Sequence, residues 1–559
     1  MRVDQKAEGP RQSMSWLHTW ASLILGWLLY AIFVTGTLSF FQNEISTWMK
    51  PETHQSIPAQ SQVQQMQVAL NYLQKNHPDA GSWNIQLPNS RQTTTEVTIR
   101  AVGEDPKARR GGTRITLDSA TGEVIEPRDT RGGGFLYRFH FELYGLPRLW
   151  TRWLVGIATM FMLVAIVSGI IAHKKIFKDF FTFRSGKGQR SWLDAHNATA
   201  VFALPFHLMI TFSGLLLLMF MFMPWGINQA YENRQQFLRD QQASMIEQPQ
   251  KAEDVPREGE RAARGERGQQ RGEHAQGRGE ERPKPELRPA PLTDLAPIMA
   301  AVQQQWKDNP IASINIISPN TNQAKIELRA LRAESVAHRN VYATLNYNGV
   351  TGQDETDKNI RIKNPSIPSA IYNVVTVLHE ARGLDLALRW LLFCSGILGT
   401  LMVATGLILW CLKRAPQQQK QGYKSFGFRL VEVLNITAII GLPLACAAYF
   451  YANRFIPADV EMRLNWEIRS FFTVWLLTLI YAIFRTHRQA WLDLLLLATL
   501  AFVLLPVVNL MTGGQALWNS IAQGQWMIAS VDLAMWVMAV IFYFAYDKVK
   551  KHQGLPNKK

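Results

Sequence analysis

Cysteine is scarce in this chain, and several common cofactor motifs are missing. Only 3 of the 559 residues are cysteines, and all lie inside long apolar stretches: Cys394, Cys411 and Cys446. They form neither a disulfide framework nor a cysteine metal site. No Cys-x-x-Cys-His motif occurs, which excludes covalently attached c-type haem. No Gly-x-Gly-x-x-Gly stretch occurs either, so no flavin or nicotinamide domain is expected.

Long apolar runs, by contrast, are abundant. Hydrophobic residues make up 47% of the chain, and eight runs come near the ~20 residues that a helix needs to cross a bilayer. The predicted spans are residues 16–41, 151–173, 195–224, 389–412, 427–451, 469–485, 490–511 and 525–546. No small-residue cleavage site follows the first run, which is typical of a retained anchor.

Basic residues near the ends of these runs indicate the orientation of the chain. The net charge of +16 comes from 59 Lys and Arg against 43 Asp and Glu. The basic residues cluster in both terminal tails and in the loops after the second and fourth runs. With eight spans these segments share one side, so both termini are expected to be cytoplasmic. We therefore interpret the charge as membrane topology and not as nucleic-acid binding.

The two long loops then face the opposite side, and each carries a small α+β pattern. Helices are predicted over Val63–Asn76 and Leu292–Trp306. The strand candidates are Trp83–Leu87, Glu96–Ala101, Arg114–Leu117, Ile311–Ser318, Gln323–Ala330 and Val341–Leu345. Each loop closes with a strand–turn–strand signal. The second loop also holds an Arg-Gly-Glu-rich insert, residues 251–291, whose balanced charge and lack of apolar residues are typical of a disordered tether.

The chain is also an internal duplication with a histidine at each membrane crossing. His18 and His196 precede a Thr/Ser-Gly pair at the same spacing, and His140 and His379 each precede an Arg-Trp-Leu motif. The four Thr/Ser-Gly pairs begin at Thr35, Ser168, Ser213 and Thr405. We interpret these pairs as places of close helix approach or room for a macrocycle. Such a duplicated unit is typical of proteins that hold haem in a helix bundle.

Six histidines are therefore candidate axial ligands of haem: His18, His140, His173, His196, His207 and His379. Burying an imidazole without partners is costly, so histidines at membrane depth point to function. On one straight helix His196 and His207 would share a face about 16 Å apart, which suits two stacked haems. Interfacial snorkelling and a zinc ladder are the alternatives. The remaining histidines are interpreted as surface residues: His54, His77, His274, His338, His487 and His552.

Three segments resemble the PepSY-associated transmembrane family: Leu17-His18-x-Trp20, Thr121-Gly122-Glu123-Val124 and residues 192–197. The resemblance covers residues 13–412, and residues 203–211 fit its branch of iron-regulated membrane proteins. Together with the eight apolar runs, it predicts a mainly α-helical membrane protein with eight transmembrane helices and two small α+β PepSY-like periplasmic domains, in which the last four helices go beyond the family's four-helix unit. The family's histidines at helix starts correspond to His18, His140, His196 and His379.

The resemblance also implies a function. Related Gram-negative inner-membrane proteins include haem-containing reductases of ferric siderophores. Two haems b would carry electrons from a quinol or a cytoplasmic reductase to the periplasm, and Fe(II) would be released there. The lower haem would lie near His18, His173 and His196, and the upper one would use two of His140, His207 and His379. The alternatives are a non-catalytic PepSY protein that binds or inhibits a periplasmic partner, and a component of an iron or siderophore transporter.

The predicted organisation has six parts. The tail and first span (1–41) lead to the first PepSY-like domain (42–150), and spans two and three follow with their cytoplasmic loop (151–224). The second PepSY-like domain (225–388) and span four (389–412) complete the duplicated unit. Residues 413–559 form a four-helix membrane extension without a membrane histidine. A scaffold role is favoured there over a quinol pocket or a dimer face.

Overall fold

All eight predicted spans are helical in the computed structural model of the protein. The structure describes residues 9–58, 61–108, 111–173, 177, 184, 186–247, 286–358 and 361–552. Within these residues six helices are long and apolar enough to cross a membrane, and the number of spans is eight if each of two bent helix pairs counts as one span. The prediction of a mainly helical, multi-pass membrane protein is confirmed. The predicted insert lies outside the described residues as far as residue 285.

The first half of the duplication begins with a broken span. Its helices are α1 (Pro10–Ile24), α2 (Gly26–Ser39), α3 (Gln42–Trp48), α4 (Gln62–Asn76), α5 (Gly133–Glu142) and α6 (Arg148–Ala172). The chain bends by 65° between α1 and α2. α5 is a separate short helix just before the span α6, and the two are joined through Leu143, which has a positive φ of 54°.

The second half repeats this order. Its helices are α7 (Gln189–Phe202), α8 (Leu204–Leu217), α9 (Met219–Phe222), α10 (Pro224–Asn228), α11 (Arg234–Ala243), α12 (Leu295–Trp306), α13 (Ile367–Glu380) and α14 (Leu386–Gln421). α7 and α8 meet at 67°, and Pro205 lies in the first turn of α8, where its missing N–H costs nothing. α13 precedes the span α14 as α5 precedes α6, and it ends at Ala381, whose φ is 49°.

The four extension spans pack beside the duplicated unit. They contain α15 (Phe426–Ile436), α16 (Leu442–Phe455), α17 (Arg463–Phe484), α18 (His487–Met511), α19 (Leu517–Ala522) and α20 (Trp526–Lys551). A π-helical turn, Thr437–Gly441, joins α15 and α16 into one span. The extension shares one hydrophobic core with α2, α3 and α5. Its outward faces carry exposed apolar residues such as Leu476 and Val537, as expected for helices surrounded by lipid.

The two outer loops join in a single antiparallel sheet of seven strands. Its strands are β1 (Ser82–Gln86), β2 (Thr95–Arg100), β3 (Thr113–Leu117), β4 (Val124–Ile125), β6 (Ile311–Ile317), β7 (Lys325–Ala330) and β8 (Thr344–Asn348). Their order across the sheet is β4-β3-β2-β1-β6-β7-β8. A separate pair contains β5 (Ile246–Glu247) and β9 (Arg361–Ile362). β1 of the first loop pairs with β6 of the second loop, and Asn84 lies opposite Asn315. The sequence patterns did not predict this pairing. Residues on one face, including Trp83 and Ile314, pack with α4 and α12.

Candidate haem-binding sites

Two of the candidate histidines meet near the end of the bundle that carries the amino terminus. His18 is on α1 and His196 is on α7, and their ring centres lie 6.3 Å apart. His18 Nδ1 is 2.8 Å from the carbonyl oxygen of Ala165, and His196 Nδ1 is 2.9 Å from that of Met402. In each case Nδ1–H donates to a backbone carbonyl, which leaves Nε2 as the nitrogen with a free lone pair. We call these two residues the lower pair.

A second pair lies at the opposite end of the bundle, beside the outer loops. His140 is on α5 and His379 is on α13, with ring centres 6.1 Å apart. His140 Nδ1 lies 2.8 Å from the carbonyl oxygen of Ile32. His379 Nδ1 lies 2.7 Å from Ser213 Oγ. We call these two residues the upper pair.

Burial keeps the upper pair neutral. Desolvation lowers the pKa of His140, and desolvation followed by the charge of His140 lowers the pKa of His379 to about 3. Both imidazoles are therefore unprotonated at neutral pH, which is the form that binds a metal.

The four histidine rings pack beside the four Thr/Ser-Gly pairs. His18, His140 and His196 each hydrogen-bond to the carbonyl of the residue four positions before one of the glycines, and His379 hydrogen-bonds to Ser213, directly before Gly214. Three glycines leave room for the rings, because an added Cβ would meet the histidine at 2.6 Å at Gly36, 3.1 Å at Gly169 and 3.2 Å at Gly406, whereas at Gly214 the distance of 3.4 Å is an ordinary contact. The Thr/Ser-Gly pairs therefore form the contact surfaces on which the histidine rings pack. The sequence predicted only close helix approach or room for a macrocycle at these pairs.

Each histidine pair faces its own cavity. The lower cavity has a volume of about 670 Å³ and is lined by His18 and His196. The upper cavity has a volume of about 690 Å³ and is lined by His140 and His379. Both volumes are within the range of small-molecule sites, roughly 300–1,000 Å³. Leu29 and Met162 line both cavities, so the two cavities share a wall.

The geometry of both pairs fits an axial bis-imidazole site. An imidazole nitrogen lies about 2.0 Å from a metal it ligates and about 1.1 Å from its own ring centre, so two axial rings have centres about 6.2 Å apart. The two observed separations, 6.3 and 6.1 Å, match this value. No group of three or more His, Cys, Asp or Glu side chains in the described part of the chain could hold a bare metal ion. A planar macrocycle supplies the other four ligands of haem iron, so two histidines suffice.

Basic side chains line both cavities. Arg11, Lys413 and Arg414 line the lower cavity. The upper cavity is lined by four arginines and one glutamate: Arg91, Arg148, Arg152, Arg382 and Glu380. Haem has two carboxylate side chains, and guanidinium groups are well suited to pairing with carboxylates. Each cavity therefore offers two imidazole nitrogens and basic side chains, and in the upper cavity the more enclosed Arg91 and Arg152 are the candidates to pair with such carboxylates.

The two other candidates, His173 and His207, line the lower cavity but join neither pair. The expectation of one straight helix through His196 and His207 is wrong, because the chain bends by 67° between α7 and α8, although both histidines line the lower cavity. His207 is buried, packs edge-on against Phe33 at 6.3 Å, and has no hydrogen bond of good geometry among the described residues. The position equivalent to His207 in the first half is Leu29, so the duplication does not repeat this histidine.

Two histidines interpreted as surface residues are in fact buried. His54 is completely buried, accepts a hydrogen bond at Nδ1 from the Gln515 amide and donates from Nε2 to the Thr47 carbonyl. Burial lowers the pKa of His54 to about 3. His338 is also buried, 3.1 Å from the carbonyl oxygen of Lys363. Both histidines have a structural role, and loop position alone did not reveal it. His274 lies outside the described residues.

Aromatic residues that sequence reasoning did not single out hold His140 in place. Phe135 and Phe139, on the same helix as His140, are buried against Phe471 of the extension, with ring centres 5.2 and 5.7 Å away. Tyr449 O–H donates to the carbonyl of Gly132, just before α5, at 3.0 Å. The extension is therefore a scaffold for one histidine of the upper pair. The spacing of Phe135 and Phe139 is one helical turn, but the sequence does not identify their partner.

The fold and the two sites describe a multi-pass membrane protein whose duplicated bundle brings histidines together from its two halves. Comparison with protein families agrees with this description. The chain belongs to the family of the PepSY-associated TM region, whose match spans residues 15–413. The suspected family is thus confirmed, and the extension lies outside the match. No curated protein matches the chain.

Proposed function

We propose that this protein is a haem b protein of a bacterial inner membrane, with both termini in the cytoplasm, that carries electrons outward to reduce ferric siderophores in the periplasm. The observation that carries the proposal is the arrangement of the two histidine pairs. Their ring separations of 6.3 and 6.1 Å, with all four Nδ1 atoms already bonded, would let each pair hold one haem iron through its two Nε2 atoms.

When bound at these pairs, haem supplies one-electron exchange between Fe(III) and Fe(II). The chain's own residues fix where that exchange takes place. The carbonyl and hydroxyl acceptors at Nδ1 hold each imidazole in one tautomer and one orientation. The shared wall of Leu29 and Met162 keeps the two cavities adjacent, so charge does not have to cross a long stretch of protein.

The proposed substrate side is the upper cavity, which lies beside the outer loops. A ferric chelate takes up one electron there and becomes a ferrous chelate. The softer, less charged Fe(II) is held less tightly by hydroxamate or catecholate oxygens, so the metal is released. The electron donor is proposed to be a membrane quinol or a cytoplasmic reductase that meets the lower cavity, where His173 and the basic residues Arg11 and Lys413 lie.

The test is an optical spectrum of the detergent-purified protein, oxidised and dithionite-reduced, with pyridine haemochrome quantitation. Two haems b per chain are expected for the wild-type protein, and one each for the variants His196→Ala and His379→Ala. His552→Ala, in the exposed carboxyl-terminal tail, is the matched control and should keep both haems. Mixing the reduced protein with a ferric trihydroxamate should then reoxidise it and yield Fe(II).

Each outcome separates the proposal from its alternatives. A colourless protein from haem-replete cells, with both histidine pairs dispensable, would refute the haem assignment and favour a binding protein or a transporter component. A haem-loaded protein that no ferric chelate reoxidises would retain the haem assignment and refute the reductase activity.

A further inference from the structure

Two glutamates near the upper pair are each held between two arginines, one glutamate in each half of the duplication. Glu142 lies two residues after His140 on α5, and Glu380 directly follows His379 on α13. Glu142 contacts Arg152 and Arg148, and Glu380 contacts Arg339 and Arg382. Each cluster therefore carries two positive charges and one negative charge.

Within each cluster the two arginines differ in the same way. Arg152 and Arg339 lie closest to their glutamates, Arg339 at 3.0 Å, and their side chains are 34% and 15% exposed. Arg148 and Arg382 lie farther away, both at 3.6 Å, and their side chains are 69% and 53% exposed. Because one carboxylate is shared by two guanidiniums, each cluster keeps a net charge of +1, and the outer, more exposed arginine presents it to solvent.

Both outer arginines line the upper cavity. They come from opposite halves of the duplication, since Arg148 begins α6 and Arg382 lies just before α14. An anion at the outer end of the cavity would thus meet one exposed guanidinium from each half. The more enclosed Arg91 and Arg152 line the same cavity and are better placed for carboxylates of a cofactor held inside it.

We propose that Arg148 and Arg382 form a docking site for ferric chelates of net negative charge, such as α-hydroxycarboxylate or catecholate complexes. This inference rests on the proposed function for the identity of the site, and it adds the charge class of the substrate. Exposed guanidiniums concentrate anions and speed their encounter, with gains of about 10- to 1,000-fold in association rate that decline with ionic strength. A neutral trihydroxamate chelate gains nothing from the same charges.

The test combines a binding measurement with a reduction measurement. The gallium(III) citrate complex, which has the charge of a ferric complex but is not reduced under these conditions, is titrated into the haem-loaded protein. Stopped-flow mixing of the dithionite-reduced protein with ferric citrate, and separately with a neutral ferric trihydroxamate, gives the reoxidation rates. The variants are Arg148→Glu/Arg382→Glu and Arg148→Gln/Arg382→Gln, and Arg332→Glu, on the outer sheet domain away from both cavities, is the control.

The double glutamate variant is expected to bind gallium citrate at least tenfold more weakly and to be reoxidised by ferric citrate at least tenfold more slowly. The glutamine variant should fall between it and the wild type. The trihydroxamate rate and the haem content should not change. Equal slowing with both chelates, or loss of haem, would overturn the inference and assign these arginines to the cofactor. If no chelate reoxidises the protein while gallium citrate binding still depends on the arginines, the reductase function fails and the anion site stands.

Discussion

Replacing Gly36 by alanine should displace one haem ligand without weakening the helix that carries the change. The added Cβ would lie 2.6 Å from both Cε1 and Nδ1 of His140. Carbon atoms in contact are about 3.5 Å apart, so the ring has to retreat by about 0.9 Å. That movement disrupts the 2.8 Å hydrogen bond to Ile32 and the 6.1 Å spacing of the upper pair.

The expected cost follows from two general magnitudes. Overpacking a filled site costs about 1–3 kcal/mol, and disturbing the partner of a metal-bound histidine lowers metal affinity about 10- to 100-fold. Alanine is a better helix former than glycine by about 1 kcal/mol in water, so loss of haem would not come from a weaker α2. Haemochrome quantitation should show a stoichiometry falling from two haems towards one.

The duplication provides a matched control for this substitution. Gly214 occupies the equivalent position in the second half, and its added Cβ would lie 3.4 Å from His379, an ordinary contact. Gly214→Ala should therefore keep both haems and the wild-type reduction potentials. If Gly36→Ala binds haem as fully as the wild type, or if both variants lose haem to the same extent, then Gly36 is not needed to make room for the ring of His140.

Three further predictions concern other parts of the molecule. His207→Leu installs the residue found at the equivalent position of the first half, and it should keep two haems in a haemochrome assay; loss of one would make His207 a ligand. Haem occupancy of the upper pair should show no titration near pH 6.5, because burial lowers both pKa values in the folded protein and protonation below 6.5 favours only the unfolded chain. A spectral titration with a midpoint near 6.5 would contradict this. Trp48→Phe removes the 2.7 Å hydrogen bond from Trp48 Nε1 to buried Asp532 and should cost about 1–3 kcal/mol of stability in thermal unfolding, whereas an unchanged melting temperature would show that the bond is unimportant.

The spans and the strands were predictable because their signals are local. The length of an apolar run predicts a transmembrane helix. Alternation of apolar and polar residues, bounded by turn residues, predicts most strands of the outer loops. The pairing of β1 with β6 could not be predicted, because no residue pattern states which strand of one loop lies beside the other. The same holds for the histidines: the repeat identified His18 and His196 as equivalent, but not that they face each other.

His207 shows where local reasoning failed. The helical period places His207 on the same face as His196 only if one straight helix carries both. The chain instead bends by 67° between α7 and α8, near Pro205. His54 failed for the opposite reason. Its position in a loop indicated exposure, but the extension, through Gln515 and Gln525, covers it. Both errors arise from contacts between segments far apart in the chain.

The site itself is a product of the duplication, because each pair takes one histidine from each half. A single copy of the unit would contain only half of each site and would need a second copy to complete them. Fusion of the two copies allows the halves to differ. In the upper pair, α13 is held by the outer loop, through Asn373 and the Arg339–Glu380 ion pair. The helix of His140 is held instead by the membrane extension, through Phe135 and Phe139. The two helices of the upper pair, equivalent in the duplication, are thus held by different parts of the chain.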